Sequence, residues 1–359
     1  MRGPPPPPPK TTPAPPGPPP PARPPPPPTR PPPPAGGAPN SSTRSQKRIA
    51  GQRNLQGVST RQGYNRQSRL RRRTLLARLL VRLHFILPLL TLSRLAARVS
   101  RFRGPGGVLI RAFAWLFSID REEAARPVPQ GYASLAEFFS RELKEGARVP
   151  ENGEECVVSP ADGLLTRIGE INGTSHLQAK GTGYSIEELL GGARCAAPYE
   201  DGHLAVIYLR PSDYHRVRMP LEGQLREVVY LPGRRLSVNP AIIDSAPAVL
   251  ATNERAALHF DTGGGKFCVV MVGALNVGSI STAFDIRTDA NIPPVPTRWR
   301  FPGPRGAKCE RGDYLAHFNL GSTVVLVATR DLLAWLPERQ PVEEVRCGQV
   351  LGQRLPLEV

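Results

Sequence analysis

The sequence predicts an α+β protein: an N-terminal helical region followed by a mainly antiparallel β barrel or sandwich. Three observations lead there. From Glu155 onward, short β-branched runs alternate with Gly, Pro and polar turns, as antiparallel strands do. Between residues 74 and 100 Leu, Val and Ile recur at helical spacing, and residues 107–147 look helical in two pieces. Residues 4–39 are mostly Pro with Gly, Ala, Thr and Arg, can bury almost nothing, and read as an extended, disordered arm. The 359 residues thus divide into a Pro-rich and Arg-rich tail (1–73), a helical region (74–150) and a β-rich domain (151–359).

The tail continues from the prolines into polar, Arg- and Gln-rich sequence that ends in Arg69-Leu70-Arg71-Arg72-Arg73. Much of the formal charge of +17 sits there, which favours an anionic partner. Few aromatics interleave with the arginines of 44–73 and no nucleic-acid motif appears, so the sequence points away from nucleic acid. The apolar stretch Phe85–Leu92 contains Pro88 and is flanked by Arg78, Arg82 and Arg94. It is too short and interrupted to span a bilayer. It fits a basic amphipathic helix in the membrane interface, broken near Pro88, or a helix packed on its own domain.

Two further helical pieces follow, Val108–Phe117 and Ser134–Leu143, the second opening on the capping-box-like Ser134-Leu135-Ala136-Glu137. The predicted strands are Cys156–Ser159, Leu164–Ile168, Leu204–Leu209, Gln224–Tyr230, Cys268–Val272, Gly278–Phe284 and Thr323–Ala328. Ile186–Leu190 is the best helix candidate among them. The five cysteines are isolated, with neither C-x-x-C nor zinc-ligand spacing, so free thiols, a reducing compartment and no metal are expected. No secretory pattern precedes the prolines. Gly263-Gly264-Gly265-Lys266 lacks the spacing of a P-loop.

Chemistry is concentrated in a few segments. Leu320-Gly321-Ser322-Thr323 enters the apolar run Val324–Val327. A Gly-Ser bond can be cut by the chain itself: glycine tolerates a strained turn, and the Ser322 Oγ can attack the preceding carbonyl to give an ester. Elimination from that ester can leave a pyruvoyl group, an electrophile no side chain supplies. Asp162 lies in the turn Ser159-Pro160-Ala161-Asp162-Gly163, and His215 follows a strand in Asp213-Tyr214-His215-Arg216-Val217-Arg218. Each alone reads more readily as an ordinary turn or structural residue.

Taken in order, these and neighbouring segments resemble the phosphatidylserine decarboxylases, a pyruvoyl-dependent family. The likeness runs from about Leu87 to Gly352. It includes Phe138-Phe139-Ser140-Arg141-Glu142-Leu143, Gly146-Ala147-Arg148, Ser159–Gly163 and Lys180-Gly181. It continues through Asp213–Val217, Ser237-Val238-Asn239-Pro240, Asn253-Glu254-Arg255, Leu320–Thr323 and Gly348-Gln349.

The resemblance implies self-cleavage between Gly321 and Ser322, with Ser322 becoming the pyruvoyl group. Asp162 would orient a histidine, and His215 would take the Ser322 proton and later serve as proton donor. Phosphatidylserine in an anionic membrane is the implied substrate, phosphatidylethanolamine the product, and the two cleaved chains stay together. A location on the cytoplasmic side of the cell membrane is implied; a homodimer is left open. The sequence departs from the long bacterial type at one place: where those relatives carry a second histidine, assigned to self-cleavage, this chain has Arg218. Arginine cannot act as a base. Either His215 does both jobs, with His317 a remote third candidate, or the chain is an unprocessed phosphatidylserine-binding relative or a scaffold with a Pro-rich arm.

Overall fold

Two helices open the described chain. In α1 (Gly106–Leu116) one face buries Ile110 and Ala114, while Val108, Trp115 and Leu116 stand exposed. In α2 (Leu135–Phe139) the Ser134 Oγ accepts the Glu137 N–H at 3.2 Å. The Glu137 carboxylate reaches one residue beyond the cap, to the Ala133 N–H at 2.8 Å. The cap expected from sequence is therefore made with a shifted return bond, and the helix stops four residues earlier than expected. Phe138 packs with Ile110 and Tyr132 in a small core.

The computed structural model describes residues 99–100, 106–151, 153, 155–171, 177–179, 182–243, 246, 248–274, 280–286, 295–303, 306–318 and 322–356. The tail of 1–73, the amphipathic helix expected before residue 99, Lys180-Gly181 and Gly321 lie outside these residues.

The β-rich part begins with β1 (Cys156–Val158), β2 (Gly163–Glu170), β3 (Leu177–Ala179) and β4 (Thr182–Tyr184). Helices α3 (Ile186–Leu190) and α4 (Ala193–Ala196) lead to β5 (His203–Leu209), β6 (Arg216–Arg218) and β7 (Gly223–Leu231). Next come α5 (Pro240–Ile243), α6 (Val249–Thr252), β8 (Arg255–Thr262), β9 (Gly265–Gly273) and β10 (Ile280–Thr282). The chain closes with β11 (Thr297–Arg300), β12 (Lys308–Cys309), β13 (Tyr314–Phe318), β14 (Ser322–Ala328), β15 (Leu333–Trp335), β16 (Glu343–Val345) and β17 (Val350–Arg354). The central sheet runs β11-β7-β8-β9-β14-β5-β2-β16, with β12 also on β7. Two three-stranded sheets, β1-β17-β15 and β10-β13-β6, and the ribbon β3-β4 complete the set. Every strand pairing within these sheets is antiparallel.

The expected barrel does not form. Strands β11 and β16 end the central sheet without pairing to each other, so the described residues build layered open sheets. The reason lies in β14, where every residue is buried. Val324, Leu326 and Ala328 point into one core, shared with Val217 and Leu315 of the small sheets. Val325 and Val327 point into a second core, shared with Leu189, Leu190 and Leu250 of the helices. A sheet covered on both faces buries its apolar runs without closing on itself, at about 1.5–3 kcal/mol per fully buried Val or Leu. The sandwich expectation holds on the face that meets the small sheets.

Candidate active site

Ser322 is the first residue of β14 and sits between two strands, opposite Leu209 of β5 and Gly273 of β9. It is fully buried, and its Oγ has no hydrogen-bond partner among the described residues. The Asn253 side chain fixes that strand end: it donates to the carbonyls of Gly273 (2.9 Å) and Leu236 (2.8 Å) and accepts the Leu236 N–H. Arg255 binds the carbonyls of Glu188 and Leu189 at the end of α3. The Asn253-Glu254-Arg255 motif is thus architectural, holding the strand beside Ser322.

The loop between β5 and β6 carries His215. It leaves β5 at Leu209, opposite Ser322, and the His215 carbonyl accepts the Phe318 N–H at 3.2 Å. The loop is locked by Asp213, whose carboxylate takes the Arg210 N–H at 2.7 Å and its guanidinium at 3.0 Å. His215 is fully buried, with Nδ1 2.9 Å from the Asp213 carbonyl oxygen. A carbonyl only accepts, so Nδ1 carries the proton and Nε2 presents a bare lone pair. That Nε2 is buried and has no hydrogen-bond partner among the described residues. Burial pushes the His215 pKa down to about 3, the Asp213 carbonyl opposing and the nearby Arg141 charge reinforcing the shift. The ring is neutral at ordinary pH. Phe139 covers it, with ring centroids 3.9 Å apart.

Asp162 does not meet His215. Its carboxylate is gripped by Arg148, Nε–Oδ1 at 2.9 Å and Nη2–Oδ2 at 2.7 Å, and it accepts the Cys347 N–H at 2.8 Å. Arg148 also binds Glu123 through both terminal nitrogens. Gly163, next in sequence, is required for this turn: a Cβ there would lie 2.4 Å from the Tyr208 carbonyl oxygen. Gly348 sits at φ +90°, and its N–H reaches the Ser159 carbonyl at 2.9 Å, tying the C-terminal turn to the Asp162 turn. The expected hydrogen bond from Asp162 to the histidine is replaced by an ion pair, because Arg148 is held within reach and His215 is already satisfied at Nδ1.

Arg218 donates its backbone N–H to Pro160 O (2.8 Å) and Nη1 to Gly312 O (2.9 Å), while its Nε has no partner among the described residues. The Nδ1 of His317 lies 2.5 Å from the Tyr314 hydroxyl on β13. All five cysteines are free. Burial raises the Cys347 pKa to about 12, so that thiol stays protonated. Among the described residues no group of three or more His, Cys, Asp or Glu could hold a metal ion.

A polar cleft of about 660 Å³ adjoins the site, lined among others by Arg141, Arg148, Asp162, Ser212, Tyr214 and Cys347. Sequence reasoning gave no role to Phe139, Arg141, Arg148 or Asp213. The available signal was Phe138-Phe139-Ser140-Arg141: an arginine just past a capped helix, behind two aromatics, has little reason to be there unless both face something polar and buried.

The family model for phosphatidylserine decarboxylase matches residues 135–353. A phosphatidylserine decarboxylase proenzyme of Marinobacter nauticus is 38% identical over 283 residues, covering 78% of this chain and 99% of the relative. The corresponding proenzyme of Nitrosococcus oceani is 40% identical over 271 residues, 75% of this chain and 89% of its own. That of Azotobacter vinelandii is 39% identical over 276 residues, 75% and 95%.

Proposed function

The chain belongs to the phosphatidylserine decarboxylase family, and from that premise we propose that it makes phosphatidylethanolamine and CO2 from phosphatidylserine, using a pyruvoyl group generated from its own Ser322. Ser322 carries the reading. It lies inside the stretch the family model matches, at the start of a central strand, with a buried Oγ that no described residue satisfies. A buried unpartnered hydroxyl costs about 1–3 kcal/mol, and such a cost persists where chemistry uses the group.

His215 supplies the base. Its neutral ring and bare Nε2 accept the Ser322 proton as Oγ attacks the Gly321 carbonyl, and the peptide becomes an ester. Loss of the Ser322 α-proton then expels Gly321 as a carboxylate. Water replaces the amine, ammonia leaves, and residue 322 ends as pyruvoyl. The surrounding apolar side chains and Phe139 exclude bulk water during these steps. The pyruvoyl group supplies an electron sink that no side chain provides. In each turnover His215 Nε2 would take a proton from the substrate ammonium and return it to the carbon that has lost CO2. Asp162 acts at one remove, as a positioning residue that holds the Cys347 turn and Arg148 beside this site.

Cleavage yields residues 1–321 and 322–359. The small chain stays in place because β14 pairs along its length with both β5 and β9, and β17 pairs with β1. The β-rich part from residue 151 carries the chemistry, and residues 74–150 lie against the membrane. The exposed Val108, Trp115 and Leu116 of α1 support that contact, since tryptophan favours the headgroup region. No helix among the described residues is long and apolar enough to cross a membrane. The protein is peripheral, on the cytoplasmic side, where the basic tail gains about 1 kcal/mol per Lys or Arg near anionic lipid.

Arg218 favours one other reading, an unprocessed relative that binds phosphatidylserine without turning it over. The test is direct. Purified protein with phosphatidylserine in mixed micelles should produce phosphatidylethanolamine, and prior treatment with borohydride or hydroxylamine should abolish this. No product from the untreated protein contradicts the proposal.

A further inference from the structure

Arg141 is a buried cation without a counter-ion of its own. It is 4% exposed, and its Nε and Nη1 have no hydrogen-bond partner among the described residues. Its polar contact is a bond from Nη2 to the Ser212 carbonyl at 3.2 Å, and its Cζ lies 5.2 Å from the centre of the Phe138 ring. The carboxylates that could neutralise it, Asp162 and Glu123, are both taken by Arg148. A charge kept out of water with open donors is costly, and the fold would be more stable with an apolar residue there. Yet the guanidinium is held in a fixed place. Helix α2 ends just before it, Phe139 of that helix lies on His215, and Ser212 belongs to the His215 loop. Arg141 also forms part of the wall of the polar cleft.

Resting on the decarboxylase reading, we propose that Arg141 is the anion anchor of the site and holds the phosphate of the phosphatidylserine headgroup. The phosphate, and not the carboxylate, follows from the chemistry. A cation bound to the carboxylate would stabilise the ground state over the departing neutral CO2, and so slow the reaction. The phosphate keeps its charge throughout and can be held at no such cost. The anchor is bound to the His215 loop through the Ser212 carbonyl, so gripping the phosphate places the headgroup amine and carboxylate toward Ser322.

The test compares wild type, Arg141→Gln and Arg141→Lys after self-cleavage has been scored by chain splitting. Arg141→Gln should still split, with KM for phosphatidylserine raised at least tenfold and kcat changed less; Arg141→Lys should recover part of the loss. Glycerophosphoethanolamine, which has the phosphate and no carboxylate, should inhibit wild type and inhibit Arg141→Gln at least tenfold more weakly. Serine, which has the carboxylate and no phosphate, should not distinguish the two. A KM within twofold of wild type in Arg141→Gln overturns the proposal. So does selective loss of serine inhibition, which would make the carboxylate the bound group. Failure of both variants to split also overturns it, by placing Arg141 in maturation. If wild type itself makes no phosphatidylethanolamine, the decarboxylase reading fails separately. Arg141 is then judged by calorimetric binding of glycerophosphoethanolamine, where equal affinity for wild type and Arg141→Gln overturns it.

Discussion

Two polar clusters lie at the same end of the molecule, and they differ in one respect. Around Asp162 the described polar partners are matched: Arg148 grips Asp162 and Glu123, Asp162 takes the Cys347 N–H, and Gly348 ties the turns together. Around Ser322 and His215 the described residues leave hydrogen-bonding capacity open, at Ser322 Oγ, His215 Nε2 and two nitrogens of Arg141. A satisfied network fixes shape, whereas an open one is available to react or to bind. The proposed mechanism accordingly gives the chemistry to Ser322 and His215 and a supporting part to Asp162.

Ser322→Ala probes the open cluster at its root and should show the largest effect, with chain splitting and lipid turnover both absent and the fold intact by circular dichroism. His215→Ala comes next, with self-cleavage slowed about 10²- to 10⁴-fold, the usual worth of a positioned base. Cleavage at the wild-type rate would pass the role to another group, His317 first. Asp162→Asn breaks the satisfied cluster and should slow self-cleavage less than His215→Ala does. An equal or larger loss would restore Asp162 as the partner of a catalytic histidine. Arg148→Met in the same cluster strands two carboxylates and should cost about 3–5 kcal/mol in urea unfolding.

The pH dependence sharpens the contrast further. His215 is neutral in the folded chain down to about pH 3, against ~6.5 when unfolded. Between those values the unfolded chain binds a proton that the folded chain does not, so stability is full above ~6.5 and falls as pH drops through that window. The self-cleavage rate should accordingly show no step at ~6.5 while the fold persists. The smallest effect belongs to Arg218→His. With His215 already the base, the second histidine of the long bacterial relatives should change the splitting rate by less than about tenfold.

Much of this was legible in the sequence, for identifiable reasons. Strands such as Leu204–Leu209 and Thr323–Ala328 were readable because they are buried on both faces and so carry unbroken apolar runs. Strand β8 was not, because Arg255-Ala256-Ala257-Leu258-His259 places a charge and small residues where β-branched ones are expected. Strand β13, the middle strand of its small sheet, was hidden by His317 and Tyr314, which pair with each other and are only half-buried. Within the site, Ser322, His215 and Asp162 were found as types in order, but the ion pair that diverts Asp162 needs Arg148 in three dimensions. No spacing rule predicts that the orienting group for His215 is the Asp213 main-chain carbonyl.

The account stands on the chain cutting itself before Ser322, and an intact mass spectrum of the purified protein tests that most directly. It predicts two chains, residues 1–321 and residues 322–359, the smaller blocked at its N-terminus and reactive toward hydroxylamine. A single full-length chain after prolonged incubation would contradict it.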